Sequence, residues 1–155
     1  MIEIERKFLV NSEDFKKQSS PPIRIVQGFL NTHPKRTVRV RLKGDKGYLT
    51  VKGKSSENGT TRFEWETEIS KEEASELLKL CEKGMIEKMR YEVNYKNHNF
   101  EIDVFSGDNQ GLILVEVELD DENETFDKPD WLGEEVTGNS KYYNSQLSKN
   151  PFKAW

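Results

Sequence analysis

Apolar and polar residues alternate one for one through most of this chain, the pattern of strands with one buried and one polar face. Ile2, Ile4 and Phe8 alternate with Glu3, Glu5 and Lys7. Val38, Val40 and Leu42 alternate with Arg39, Arg41 and Lys43, and Leu49 and Val51 with Thr50 and Lys52. Phe63, Trp65 and Ile69 alternate with Arg62, Glu64, Glu66 and Glu68. Met89, Tyr91, Val93 and Tyr95 alternate with Lys88, Arg90 and Glu92. Phe100, Ile102 and Val104 alternate with Glu101 and Asp103, and Ile113, Val115 and Val117 with Leu112, Leu114, Glu116 and Glu118. Residues 23–31 add an eighth, more mixed strand. Gly44-Asp45-Lys46-Gly47 and Asn58-Gly59 read as hairpin turns, and residues 106–111 as a longer one. Strands joined by such short turns are antiparallel.

Two stretches change to helical spacing. Ser70 with Glu73 predicts a capping box, followed by a helix with Ala74, Leu77, Leu78 and Cys81 on one face. Residues 140–149, with Tyr143 and Leu147 four apart, predict a C-terminal helix, and a short helix is expected after Asn11. Residues 129–133 read as a loop that pins Trp131 onto the body. Trp65 and Phe105 also read as packing residues, and His33 and His98 as exposed ones. No repeat, linker or low-complexity segment interrupts the pattern, so one α+β domain over residues 1–155 is expected.

Composition adds little until the charges are placed. Hydrophobic and charged residues each make up 34% of the chain, and the net charge of −4 gives no reason to expect a nucleic-acid or membrane partner. Cys81 is the one cysteine, so no intrachain disulfide can form. Its apolar neighbours mark it as a structural thiol. Charges at the start, Met1-Ile2-Glu3, argue against a signal peptide. No apolar run approaches the roughly 20 residues that span a bilayer. A soluble cytoplasmic protein is the expectation.

The polar faces are almost wholly charged. Lys7, Arg39, Arg41, Lys52, Lys54, Arg62, Lys88 and Arg90 are basic; Glu3, Glu5, Glu64, Glu66, Glu68, Glu101, Asp103, Glu116 and Glu118 are acidic. For any single strand, a solvated outer face accounts for this. For the set, a closed eight-stranded barrel lined by alternate residues accounts for it better. Charges taken inside need partners. A polyanion would satisfy the basic set, and divalent metal the carboxylates. Arginine matches phosphate oxygens with a planar fork, and lysine offers a point charge. Mg²⁺ takes a few carboxylates together with phosphate oxygens. Carboxylates two apart on a strand, as in Glu3/Glu5 and Glu116/Glu118, point the same way and can share an ion. A nucleic-acid groove would lack the acidic half.

The residues that carry these charges also resemble a known family. Glu3-Ile4-Glu5-Arg6-Lys7 is similar to the ExExK signature of the CYTH domain, the triphosphate tunnel metalloenzymes. The resemblance continues through Gln27-Gly28-Phe29-Leu30, Val38-Arg39-Val40-Arg41, Thr50-Val51-Lys52 and Arg62-Phe63-Glu64-Trp65-Glu66. It goes on through Lys88-Met89-Arg90-Tyr91, Asp103-Val104-Phe105-Ser106-Gly107, Glu116-Val117-Glu118, residues 131–137 and residues 142–147. It implies an eight-stranded antiparallel tunnel, with a few covering helices, that acts on triphosphates with Mg²⁺ or Mn²⁺. By the same resemblance Glu3, Glu5 and Glu118 bind metal with Glu116 nearby, and Glu64 or Glu66 holds a second ion. Arg39, Arg41, Lys52, Lys88 and Arg90, with Arg62, grip the phosphates, and Lys7 sits by the attacked phosphate. Glu5 and Lys7 are thus the expected catalytic residues.

Two positions depart from the family pattern. Phe29 stands where small bacterial members often have tyrosine, and Gly138-Asn139-Ser140-Lys141 replaces an acidic residue followed by arginine. Lys141 keeps a charge that could help to close the tunnel over substrate. The leading expectation is hydrolysis of inorganic tripolyphosphate. A class IV-type adenylate cyclase or thiamine triphosphatase is the alternative, and a non-catalytic polyphosphate- or nucleotide-binding module the third reading. Outward apolar faces make a homodimer an open expectation.

Overall fold

The computed structural model describes residues 1–155. Nine strands form: β1 (Ile2–Val10), β2 (Ile23–Asn31), β3 (Arg36–Lys43), β4 (Lys46–Gly53), β5 (Thr61–Ile69), β6 (Ile86–Tyr95), β7 (His98–Phe105), β8 (Ile113–Glu118) and β9 (Leu132–Glu135). The first eight make a ring in the order β5-β4-β3-β2-β6-β7-β8-β1, which closes because β1 also pairs with β5. Every pairing is antiparallel. The expected eight-stranded barrel is therefore present, closed by one strand that changes neighbours. Ile2, Glu3 and Ile4 of β1 face β5, while Glu5 to Phe8 face β8.

The loop expected over residues 129–133 gives way at Leu132, where β9 begins. This strand forms because β1 pairs with β5 only as far as Ile4, which leaves the same edge of β1 open at Phe8 and Val10; Glu135 and Leu132 pair there. Trp131, just before it, is buried as expected. The helix after Ser70 is α1 (Lys71–Leu78), and both hydrogen bonds of its capping box are made. It ends before Cys81, which lies half-buried in the following turn with its thiol against the Leu77 carbonyl. The C-terminal helix is broken in two. Ser140–Tyr142 is a 3-10 turn, and α2 is only Asn144–Leu147, because Tyr143 between them is extended. The short helix after Asn11 is a 3-10 turn at Asp14–Lys17.

The barrel turns its charged residues inward and its apolar residues outward. Register puts Lys52 opposite Glu64, Arg90 opposite Asp103, Lys7 opposite Glu116 and Glu5 opposite Glu118. On one outer side Phe8, Val93, Phe100, Ile102, Val115 and Val117 pack against Phe15 and Trp131. The interior is not charged throughout. Phe29, Ile86, Phe105, Leu112 and Leu114, from strand ends gathered at one end of the barrel, pack with Val136 and Leu147 into an apolar plug. Across β1 and β5 the outer face is bare: Ile2 is 63% exposed, Phe63 43% and Trp65 40%. No helix is long and apolar enough to cross a membrane. His98, expected exposed, is half-buried, with Nε2 2.6 Å from Glu124 Oε2. His33 is exposed.

Candidate active site

The ring leaves a cavity of about 180 Å³ inside the barrel. Of its 23 lining residues only Phe29 and Tyr143 are hydrophobic. Glu3, Glu5, Lys7, Arg39, Arg41, Lys52, Arg62, Glu64, Glu66, Lys88, Arg90, Glu116 and Glu118 all line it. The fold thus gathers residues from six strands that the sequence scatters over more than a hundred positions. Lys141 is the exception. Its Nζ lies 3.9 Å from the centre of the Trp155 ring, outside the cavity, because the 3-10 turn that carries it faces outward.

The basic half lies on β3, β4 and β6. Arg39 and Arg41 reach Glu66 Oε2 at 3.4 and 3.5 Å, and Thr50 donates to the same oxygen at 2.5 Å. Glu66 therefore orients the two arginines from within the same cavity. The Nε groups of both arginines are buried and have no acceptor. Burial and then the neighbouring Arg39 and Arg90 push Arg41 down to about 10. Arg62 donates to the Gly53 carbonyl at 2.6 Å and to Thr37 at 3.1 Å, which fixes its fork at the cavity wall.

Asp103 was counted among the charged residues but not as a site residue. It is 3% exposed and accepts from Arg90 Nε at 2.8 Å, Arg90 NH2 at 2.9 Å and Lys88 Nζ at 2.8 Å. Burial alone would raise its pKa, but Arg90 and Lys88 outweigh burial and hold it below the usual carboxylate range. Glu101 adds a further contact to Arg90 at 3.2 Å. Burial draws Lys88 down to about 8 despite Asp103. The signal in the sequence was positional: Asp103 faces Arg90 across a hairpin whose turn is Lys96-Asn97, both at positive φ and without glycine.

The acidic half lies on β1, β5 and β8. Lys52 bridges Glu3 at 3.0 Å and Glu64 at 3.2 Å, and so joins the two halves. Burial, against the pull of Lys52, raises Glu3 to about 7, while Lys52 helps to hold its hydrogen-bonded neighbour Glu64 low. Glu5 is raised well above the ordinary value by burial and by Glu116. Burial opposes the ionisation of Glu116, yet Lys7 and Arg90 hold it at about 2. In each pair one carboxyl is thus raised and its neighbour lowered, the pattern of two close carboxyl groups competing for ionisation. Burial likewise raises Glu118. No three of these groups stand close enough to share one ion in this arrangement. The donor chemistry still fits a hard divalent cation: only oxygen ligands, in excess of their local positive charge, next to a basic wall.

Lys7 joins the acidic half to the C-terminal segment. Its Nζ is 3.7 Å from Glu116, 3.5 Å from the Tyr142 carbonyl and 5.2 Å from the Tyr143 ring centre. Phe29 packs into the plug, so the aromatic residue over Lys7 is Tyr143. Gly59 and Gly138 meet beside it; a Cβ on Gly59 would stand 2.2 Å from the Gly138 Cα, so only two glycines allow these loops to close there.

Comparison with known proteins agrees with this geometry. The CYTH domain profile matches residues 1–151. The chain is 48% identical to an inorganic triphosphatase of Acetivibrio thermocellus, covering 97% of this chain and 96% of that one. It is 38% identical to an inorganic triphosphatase of Nitrosomonas europaea, over 96% and 97%. The crystal structure of the inorganic triphosphatase NE1496 superposes with a TM-score of 0.63 at 33% identity, over 94% of this chain and 93% of that one. The closed antiparallel barrel, the inward carboxylates of β1 and β8 and the near full-length match place this chain in the CYTH domain family.

Proposed function

We propose that this protein is a metal-dependent inorganic triphosphatase that binds tripolyphosphate in the barrel cavity and hydrolyses it to pyrophosphate and phosphate. One observation carries the proposal. Arg39 and Arg41 line the cavity, and the Nε–H group of each is buried without a protein acceptor. Buried donors are rarely left unpaired, and a guanidinium in such a place is built for an oxyanion that arrives from outside. Relatives across nearly the full length that are named inorganic triphosphatases support the same reading.

In this reading Arg39, Arg41, Lys52, Arg62, Lys88 and Arg90 hold the phosphate chain, and Asp103, Glu101 and Glu66 hold those cations in place. Glu3, Glu5 and Glu118, with Glu64 and Glu116 beside them, would hold Mg²⁺ or Mn²⁺. Such an ion supplies positive charge against the phosphate oxygens and the water. Lys7 lies between Glu116 and Tyr143, where it can orient the terminal phosphate. Water adds to the terminal phosphorus, the bridging P–O bond breaks and pyrophosphate leaves. Positioning and charge stabilisation carry most of such a reaction.

Cyclisation of ATP and hydrolysis of thiamine triphosphate are disfavoured, because the lining offers no apolar platform for a base or a thiazole beyond Tyr143 and the edge of Phe29. The proposal includes a cytoplasmic location and no nucleic-acid or membrane partner. It also includes a homodimer over the bare side chains of Ile2, Phe63 and Trp65. The test is a panel of tripolyphosphate, ATP and thiamine triphosphate with Mg²⁺ or Mn²⁺. The highest kcat/KM is expected on tripolyphosphate; cyclic AMP and pyrophosphate from ATP would overturn the assignment.

A further inference from the structure

One side chain of the C-terminal segment reaches into the barrel cavity. Asn144 opens α2, directly after the extended Tyr143 (φ −69°, ψ 135°) that turns the chain toward the cavity. Its side-chain oxygen accepts from Lys88 Nζ at 3.0 Å and from Gln27 Nε2 at 2.8 Å. Gln27 lies on β2 and is fully buried, so the bond it donates holds Asn144 from behind. Lys88 is 2% exposed and also donates to Asp103 at 2.8 Å.

An ammonium carries three N–H donors that rotate together about the Cε–Nζ bond. Two acceptors at fixed places stop that rotation. Asp103 and Asn144 take two of the donors, and tetrahedral geometry then fixes the third. Lys88 and Asn144 both line the cavity, so the third donor is the one available to a phosphate oxygen there. Asp103 alone would hold one donor but would leave the flexible stem free to swing Nζ about that contact; the second acceptor, Asn144, fixes where Nζ stands.

We propose that Asn144 is a positioning residue of the reaction: anchored by Gln27, it holds the Lys88 ammonium with its free N–H toward the bound phosphate chain. This rests on the reading of Lys88 as a phosphate-binding residue. The rival is that Asn144 only ties α2 to the barrel.

A double-mutant cycle separates the two, with kcat and KM on tripolyphosphate and a melting temperature for each variant. Asn144→Ala should lower kcat/KM about tenfold in the wild-type background. In a Lys88→Met background it should change it by less than about twofold, because the group on which it acts is gone. Equal losses in the two backgrounds, or no loss in the first, would overturn the proposal. Should Asn144→Ala fail to fold, Gln27→Met tests the same relay: it removes the anchoring donor at similar volume. A loss confined to the Lys88 background is expected, and equal losses overturn the idea. Unchanged kcat/KM in Lys88→Met alone would defeat the phosphate-binding role of Lys88 and this proposal with it.

Discussion

Asp103→Asn tests how the cavity keeps its cations in place. In the native protein Asp103 accepts three charge-assisted hydrogen bonds, two from Arg90 and one from Lys88, at 2.8 to 2.9 Å. The side chains of Asp103, Arg90 and Lys88 are 4%, 7% and 2% exposed, so water cannot replace what is lost. Asparagine keeps the shape but removes the charge, and its NH2 group meets an N–H donor. Removing one partner of a buried ion pair costs about 3–5 kcal/mol. In a chain of this length each kcal/mol moves Tm by about 2–4 °C, so a fall of about 6–20 °C is expected near neutral pH. The variant should also lose phosphate affinity, because Arg90 and Lys88 repel each other once their shared counter-charge is gone. Circular dichroism melts over a pH series read both the magnitude and its sign. The folded pKa of Asp103 lies below its ordinary 3.8, so its contribution is complete above that value and is lost as pH falls through the folded value. The gap between wild type and variant should therefore be constant at neutral pH and narrow below about pH 4. A Tm fall under about 3 °C near neutral pH, or a gap that widens in acid, would refute this account of the clamp.

Arg41→Ala removes a phosphate contact of the charge-assisted class, and KM for tripolyphosphate should rise about 10- to 100-fold; steady-state kinetics with KM unchanged would count against its role. Glu5→Gln should abolish metal-dependent turnover by at least about a hundredfold. The same variant should leave Tm within about 2 °C, because burial and Glu116 already disfavour the charged form of Glu5 and glutamine keeps its shape without the charge. Gly59→Ala brings a Cβ onto the Gly138 backbone and should cost more than about 2 kcal/mol in urea unfolding. Gly107→Ala, also at positive φ but facing open space, should cost only about 1 kcal/mol, and equal costs would show that the loop contact is unimportant.

Much of the fold could be read from alternation alone, because a strand with a period of two states which residues share a face. Glu3, Glu5 and Lys7 share one, as do Arg39 and Arg41, and the barrel turned both sets inward. What alternation does not state is register. Glu64 and Glu66 looked equivalent along β5. One step along the strand places Glu64 beside Lys52 and Glu3, and Glu66 beside Arg39, Arg41 and Thr50. Asp103 was hidden for the same reason, since its partner Arg90 is set by a hairpin turn with no glycine to announce it. Short elements that exist only through tertiary contact were also unreadable. β9 depends on the edge of β1 that β5 leaves open, and the break at Tyr143 depends on Asn144 finding Lys88 and Gln27. Lys141 shows the converse: adjacency to site residues in sequence did not bring it to the site, because the turn that carries it packs it on Trp155.

The barrel is claimed above all to be a chamber for a bare phosphate chain cut with the help of divalent metal. Phosphorus NMR of tripolyphosphate incubated with the protein and Mg²⁺ tests this directly. Pyrophosphate and phosphate should appear in equal amounts, and both should stop when the metal is chelated. An unchanged tripolyphosphate spectrum, or cleavage that continues undiminished in chelator, would contradict it.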